Sequence, residues 1–270
     1  MVTSSTVQAT LQRHQQAIDT ALRSTLNEIA AQGGTDRLEP HYGQMRYHLG
    51  WVDEHFVPTS NNPGKLLRPT LLILAYEVAG AWELSSRRDY IQRALPAAVA
   101  VELTHNFSLI HDDIEDGDEE RRHRKTLWKI WGIPQAINTG DGMFAMARLA
   151  LWNSLEQGVE PEIVIRLAAT LDRVELTLAE GQYLDLSFEN AQEVSVTQYL
   201  DMIRRKSAAI MAGAAEIGAR LGTRDPETIN RLGNFGEAIG IAFQVRDDLL
   251  GVWASMAELG KTEAGDIYRR

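Results

Sequence analysis

Proline placement constrains this chain more than any other feature. Proline is tolerated in the first turn of a helix and breaks a helix interior. The eight prolines are Pro40, Pro58, Pro63, Pro69, Pro96, Pro134, Pro161 and Pro226. They leave two long stretches, Pro161 to Pro226 and Pro226 onward, with no breaker inside. Apolar residues recur there at helical spacing: Leu167, Leu171, Val174 and Leu178, then Leu232, Phe235, Ile239 and Phe243. Gly233, Gly236 and Gly240 interrupt the second pattern. Each costs about 1 kcal/mol relative to Ala, so the sequence predicts close helix–helix packing that compensates. No strand pair and no Asn-Gly or Asp-Gly hairpin turn is evident. The loops around Gly33–Asp36, Pro58–Gly64 and Thr223–Pro226 are short interruptions rather than interdomain linkers. The expectation is one all-α domain over residues 1–270, a bundle of many antiparallel helices.

Composition narrows the classes of function. Lys and Arg number 27 against 37 Asp and Glu, a formal charge of −10, which argues against a nucleic-acid partner. Cysteine is absent, so disulfides, thiolate zinc sites and cysteine nucleophiles are excluded. The first residues lack the basic stretch and apolar run of a signal peptide. No apolar run approaches the roughly 18 residues needed to span a bilayer. The expectation is a soluble cytoplasmic protein with no transmembrane segment.

The most chemically loaded segment runs from Ser108 to Glu120, where seven of the nine residues from Asp112 onward are acidic. On a helix His105, Leu109, Asp112 and Asp116 fall on one stripe. Asp112 and Asp116 are like charges at i,i+4, near the negative end of the helix dipole, and both terms disfavour the helix. A cation offsets that repulsion, and clustered carboxylate oxygens suit Mg²⁺. A solvated charge run is the bland alternative. An EF-hand fits poorly, because Ile114 and His123 occupy ligand positions. A metal phosphohydrolase built on His111-Asp112 would recruit His55, His105 and His123.

A second acidic pair, Asp247-Asp248, lies within helical reach of Gln244. Cations are grouped as well: Lys65 and Arg68, the run Arg121-Arg122-His123-Arg124-Lys125, and Arg204-Arg205-Lys206-Ser207. Beside carboxylates, such groups suggest a polyphosphate held partly by metal and partly by side chains. Gly260-Lys261-Thr262 imitates the end of a phosphate loop, but Ser255 replaces the required first glycine.

With these segments the chain resembles the trans-isoprenyl diphosphate synthases, or polyprenyl synthetases, most closely the geranylgeranyl diphosphate synthase subgroup. The matching segments, in order, are Gly64–Pro69, Glu102–His105, Asp112–Asp116, Arg121-Arg122, Gly140-Asp141, Gly181–Leu186, Lys206-Ser207, Phe243–Asp248 and Gly260-Lys261. The resemblance implies helices around a deep central cavity, a homodimer, and Mg²⁺-dependent condensation of isopentenyl diphosphate with an allylic diphosphate. By the same match Asp112, Asp116 and Asp247 carry the metals, supported by Asp113 and Asp248. Lys65, Arg68, His105 and Arg122 hold isopentenyl diphosphate. Arg121, Lys206, Gln244 and Lys261 hold the allylic diphosphate, and Ser207 with nearby carbonyls steadies the allylic cation. Gln182 and Asp185 are supporting polar groups.

Product length is expected to follow the first acidic helix. Phe107 lies roughly 7 Å below Asp112 along the axis and can floor a tube for the growing chain, while Ser108 is too small to block it. In the resembling family that combination goes with a C20 product, geranylgeranyl diphosphate, with farnesyl diphosphate as the alternative. Gly251 stands where many members have a third aspartate, as in a geranylgeranyl-producing subgroup. Members also continue past the position of Arg270, so the resemblance implies a synthase domain without its C-terminal part. A class I terpene cyclase is disfavoured, because Gly251 and Ser255 occupy its remaining metal-ligand positions. A non-catalytic partner subunit of a prenyl synthase is the other alternative.

Overall fold

The computed structural model describes residues 4–33, 35–59, 64–81, 90–189 and 191–253. Eleven helices are formed among them: α1 (Ser4–Gln12), α2 (Gln15–Gln32), α3 (Glu39–His48), α4 (Leu67–Ala79), α5 (Leu95–Glu115), α6 (Leu127–Trp131), α7 (Ile133–Trp152), α8 (Pro161–Phe188), α9 (Val196–Ile203), α10 (Ala209–Gly222) and α11 (Pro226–Trp253). Pro40, Pro69, Pro96, Pro134, Pro161 and Pro226 each stand in the first turn of a helix. There the missing N–H has no intrahelical partner to lose. Asp225 caps α11 by accepting from the Thr228 N–H at 2.9 Å, and Ser195 and Gln198 form a capping box on α9.

Helix α5 is the centre of the bundle. It packs against α2, α4, α7, α8 and α10, and its residues Ala97 to Thr104 are buried without a break. A helix apolar nearly all round is stable only in such an enclosed position. The stripe Leu167, Leu171, Val174 and Leu178 of α8 is buried as expected.

Two expectations need correction. On α11 the tight contacts come from glycines: a Cβ on Gly236 would lie 2.5 Å from the Met211 carbonyl oxygen, and one on Gly240 2.6 Å from the Cα of Ala208. A Cβ on Gly233 would meet only Glu216 Cβ at 3.8 Å, an ordinary contact. Leu232 and Ile239 pack beside this seam, whereas Phe235 is 53% exposed. The close approach is thus made on the glycine face, and Phe235 is left outside it.

The second correction is a strand pair. β1 (Glu120–Arg121) and β2 (Arg124–Lys125) pair antiparallel, and the turn between them places Arg122 and His123 at φ 52° and 61°. Left-handed backbone costs a non-glycine residue about 1–2 kcal/mol. Outside contacts hold the hairpin: the Arg124 guanidinium donates to the carbonyls of Tyr47 (2.9 Å) and Val52 (2.6 Å), and the Tyr47 hydroxyl donates to the Lys125 carbonyl (2.8 Å). Those contacts are tertiary, so no turn dipeptide announces them.

Candidate active site

The acidic end of α5 forms one wall. Asp112 faces the Lys206 ammonium at 3.8 Å, and Lys206 also binds Asp185 at 2.5 Å. Burial is the largest effect on Asp112 and raises its pKa from 3.8 to about 6; Lys206 opposes the rise, and Asp116 one turn along adds to it. Burial works against the charge on Lys206, but Asp112, Asp185 and Asp116 outweigh it and hold its pKa above the ordinary value.

Lys206 reaches this position through an irregular backbone. Residues Arg204–Ala208 form a π-helical turn between α9 and α10, a device frequent at functional sites. α8 presses directly on it: a Cβ on Gly181 would lie 2.2 Å from the Lys206 backbone nitrogen. The three consecutive cations then part. Arg204 pairs with Glu237 at 3.0 Å and Arg205 with Glu180 and Asp201 at 2.6 and 3.0 Å, leaving Lys206 to meet Asp112.

A second group lies around the start of α4. Arg122 rests against Gly64, whose Cβ, were there one, would be 3.1 Å from the guanidinium. Lys65 is exposed just before the helix, and Arg68 sits in its first turn. Glu102 is 4% exposed, accepts from Asn106 at 2.9 Å and attracts both Arg68 and Arg122. Burial nevertheless dominates, raising the pKa of Glu102 and lowering those of Arg68 and Arg122. His105 lies among these cations: burial first, then Arg68, Arg122 and Arg121, push its pKa well below 6.5. Its imidazole is neutral at neutral pH, with one N–H to donate and one nitrogen to accept. The Nε of Arg68 is buried without a hydrogen-bond partner, as are both amide atoms of Gln182. Buried polar groups are rarely left so, and a bound anion or water is the usual remedy.

The aspartate pair on α11 belongs to the same field. Burial raises the pKa of Asp247, while Arg246, Lys65 and Arg68 pull it down. Asp248 is fixed by two donors, the Tyr199 hydroxyl at 2.5 Å and the Gln244 amide at 2.7 Å. The Gln244 carbonyl in turn accepts from the Ser207 hydroxyl at 2.5 Å. Tyr199, on α9, was not singled out in the sequence, since a tyrosine forty-nine positions before its carboxylate partner carries no local signal.

Other assigned residues take more structural places. Asp113 is 2% exposed and accepts from the Arg121 Nε at 2.6 Å, so both are engaged with each other beneath the hairpin. His111 turns to α7, its Nε2 lying 3.3 Å from the Ile137 carbonyl and 3.7 Å from Asp141. That orientation engages His111 with α7 rather than with His55, His105 or His123. Phe107 is partly buried and meets Phe144 edge to face at 5.1 Å, and the Ser108 hydroxyl donates to the His105 carbonyl. Gly260 and Lys261 lie outside the described residues.

A recess of about 510 Å³ beside the hairpin is lined by His48, Asp113, Arg121, Arg122 and Arg124, among others. His48 is a further residue the sequence did not mark. Burial, with Arg121, Arg122 and Arg124 adding to it, lowers its pKa from 6.5 to about 3, against a hydrogen bond that the ring makes to Asn106.

The donors available for a metal are carboxylate oxygens, two on α5 (Asp112, Asp116) and two on α11 (Asp247, Asp248). Hard divalent cations take that donor set. By donor chemistry these residues fit such an ion, as two pairs, one on each helix; no three of them come together among the described residues. Beside them, Lys206, Arg68, Arg122 and neutral His105 are suited to a diphosphate.

Residues 50–270 match the polyprenyl synthetase family model. A (2E,6E)-farnesyl diphosphate synthase of Mycobacterium tuberculosis is 41% identical over 247 residues, covering 91% of this chain and 64% of that protein. The crystal structure of a polyprenyl synthetase from Streptomyces coelicolor A3(2) superposes with a TM-score of 0.83 at 39% identity, over 98% of this chain and 72% of that one. A geranylgeranyl pyrophosphate synthase from Corynebacterium glutamicum, solved with isoprenyl diphosphate and magnesium, gives 0.82 at 26% identity, over 96% and 73%. The chain thus spans just under two thirds of the length of the curated synthase it matches.

Proposed function

This chain belongs to the polyprenyl synthetase family, and on that premise we propose that it is a Mg²⁺-dependent trans-prenyltransferase. The reaction joins isopentenyl diphosphate to an allylic diphosphate. The allylic C–O bond breaks with its electron pair leaving on diphosphate, the terminal alkene carbon of isopentenyl diphosphate bonds to the allylic carbon, and a proton is lost from the adduct. The observation that carries the reading is the meeting of Lys206 with Asp112 beside a second group, the Arg68 and Arg122 guanidiniums with neutral His105 among them. Two diphosphates need two such groups.

Asp112, Asp116 and Asp247 would hold Mg²⁺, with Asp248 fixed by Gln244 and Tyr199; the ion would neutralise charge developing on the leaving diphosphate. Lys206 adds a cation on the allylic side. Arg121, carried there by the family match, acts through the buried Asp113 it holds, and Lys261 completes the allylic set. Lys65, Arg68, Arg122 and neutral His105 orient isopentenyl diphosphate. The Ser207 hydroxyl and the backbone of the π turn offer dipoles to the allylic cation. The apolar walls of α5 exclude water that would capture it.

The product we favour is geranylgeranyl diphosphate, on the strength of Phe107 below Asp112 and Ser108 between them. Farnesyl diphosphate is the second reading, favoured by the 41% identity to a farnesyl synthase. A homodimer is supported by exposed Leu149 and Trp152 on α7 and Ile165 and Leu176 on α8. Among the described residues no helix is long and apolar enough to cross a membrane. The test is incubation with labelled isopentenyl diphosphate, Mg²⁺ and allylic primers, followed by chromatography. Longer linear diphosphates are expected, and Asp112→Ala or Asp247→Ala should abolish most turnover. A cyclic hydrocarbon would indicate the cyclase, free phosphate a hydrolase, and no conversion a non-catalytic subunit.

A further inference from the structure

Phe107 does not stand alone on α5. Its ring meets Phe144 of α7 edge to face, with centroids 5.1 Å apart and planes at 84°. The Arg148 guanidinium carbon also sits over Phe144, 3.6 Å from the ring centroid. Phe144 therefore meets both an aromatic ring and a cation, and both contacts are favourable for it. Arg148 is itself locked. Both its terminal nitrogens donate to Glu175 of α8, one of them at 2.9 Å, and one also reaches Asp172 at 2.9 Å. Glu175 is buried, and the Thr104 hydroxyl of α5 donates to it at 3.3 Å, three residues before Phe107. The contacts thus run in a closed circuit from α5 through α7 and α8 and back to α5.

We propose that Phe144 and Arg148 determine product length together with Phe107, forming a second layer of the floor beneath the growing chain. The inference rests on the reading of this chain as a prenyl synthase with Phe107 as floor. A lone aromatic ring yields to a lengthening tail by changing rotamer. Phe107 yields only if Phe144 moves, and Phe144 moves only if Arg148 leaves its face. Arg148 is tied to a buried carboxylate, so its departure would strand that charge. Phe144 itself lies at the margin of the bundle, 36% exposed.

The test compares wild type with Phe144→Ala, Phe144→Leu, Phe144→Tyr and Arg148→Met, each shown to be folded by circular dichroism. The substrates are labelled isopentenyl diphosphate with dimethylallyl and geranyl diphosphate primers, and the readout is the chain-length distribution. Phe144→Ala should move the main product at least one C5 unit longer. Phe144→Leu, which keeps apolar bulk without a ring face, should do the same even if the alanine variant fails to fold. Arg148→Met should give a mixture with at least a several-fold rise in the longer product, and Phe144→Tyr should retain the wild-type length. A wild type that elongates while the leucine and methionine variants give its own distribution would overturn this inference alone. A wild type that makes no prenyl diphosphate would overturn the activity reading, and this inference with it.

Discussion

Gly181→Ala tests the contact that shapes the site. The added methyl would sit 2.2 Å from the Lys206 nitrogen and 2.6 Å from its Cα, where ordinary contact begins near 3.4 Å. α8 and the π turn must therefore separate by about 1 Å. What the methyl meets is backbone, so no side-chain rotamer relieves it. Overpacking of this kind costs about 1–3 kcal/mol, and the better helix propensity of alanine offsets up to about 1 kcal/mol of that. The net expectation is a loss of about 1–2 kcal/mol in equilibrium urea unfolding. Gly233→Ala is the internal control. Its methyl meets Glu216 Cβ at 3.8 Å, so propensity acts unopposed and the variant should gain up to about 1 kcal/mol. Displacing Lys206 also disturbs its pairs with Asp112 and Asp185, and a misplacement of about 1 Å can lower turnover roughly 100-fold. A Gly181→Ala protein as stable as wild type, with unchanged turnover, would refute the claim that α8 sets the position of the π turn.

His48 gives a pH signature. Its folded pKa of about 3 lies below the unfolded value of 6.5, so the unfolded chain binds the extra proton between those values. Stability should fall as pH drops through that window, by up to about 5 kcal/mol, and His48→Asn should flatten this part of the curve in denaturant titrations at stepped pH. Tyr199→Phe removes one of two donors fixing Asp248, and should lower turnover about tenfold with the thermal midpoint falling by only a few degrees; unchanged kinetics would show that Asp248 needs no such support. Steady-state kinetics of Arg68→Ala and Lys206→Ala should separate the two diphosphates, with KM rising mainly for isopentenyl diphosphate in the first and for the allylic substrate in the second. The reverse pattern would exchange the two sites.

Local sequence determines the helices here, because their signals act within a turn or two. First-turn prolines start α3, α4, α5, α7, α8 and α11, and 3.6-residue spacing selects the buried stripe of α8. The same reach puts Asp112 and Asp116 one turn apart on α5 and brings Gln244 to Asp248 on α11. What a charged side chain does, however, depends on the residue packed opposite. Neighbouring cations have identical local surroundings, yet Arg121 closes on Asp113, Arg122 turns to Gly64, and Arg124 secures the hairpin to Tyr47 and Val52. Periodicity likewise assigns Phe235 to a stripe, while Gly236 and Gly240 bring α10 and the π turn before it so close that the ring is left outside. Asp113 and Asp112 are adjacent carboxylates with opposite fates: 100° of helical rotation gives one an arginine and the other a lysine. His48, Tyr199 and Phe144 lie far along the chain from the groups they serve, and only the packing of α3, α9 and α7 around α5 and α11 makes them neighbours. Sequence fixes which faces are apolar and where helices begin; tertiary packing chooses each charge's partner, because Coulomb and hydrogen-bond energies fall away within a few ångströms whatever the separation in sequence.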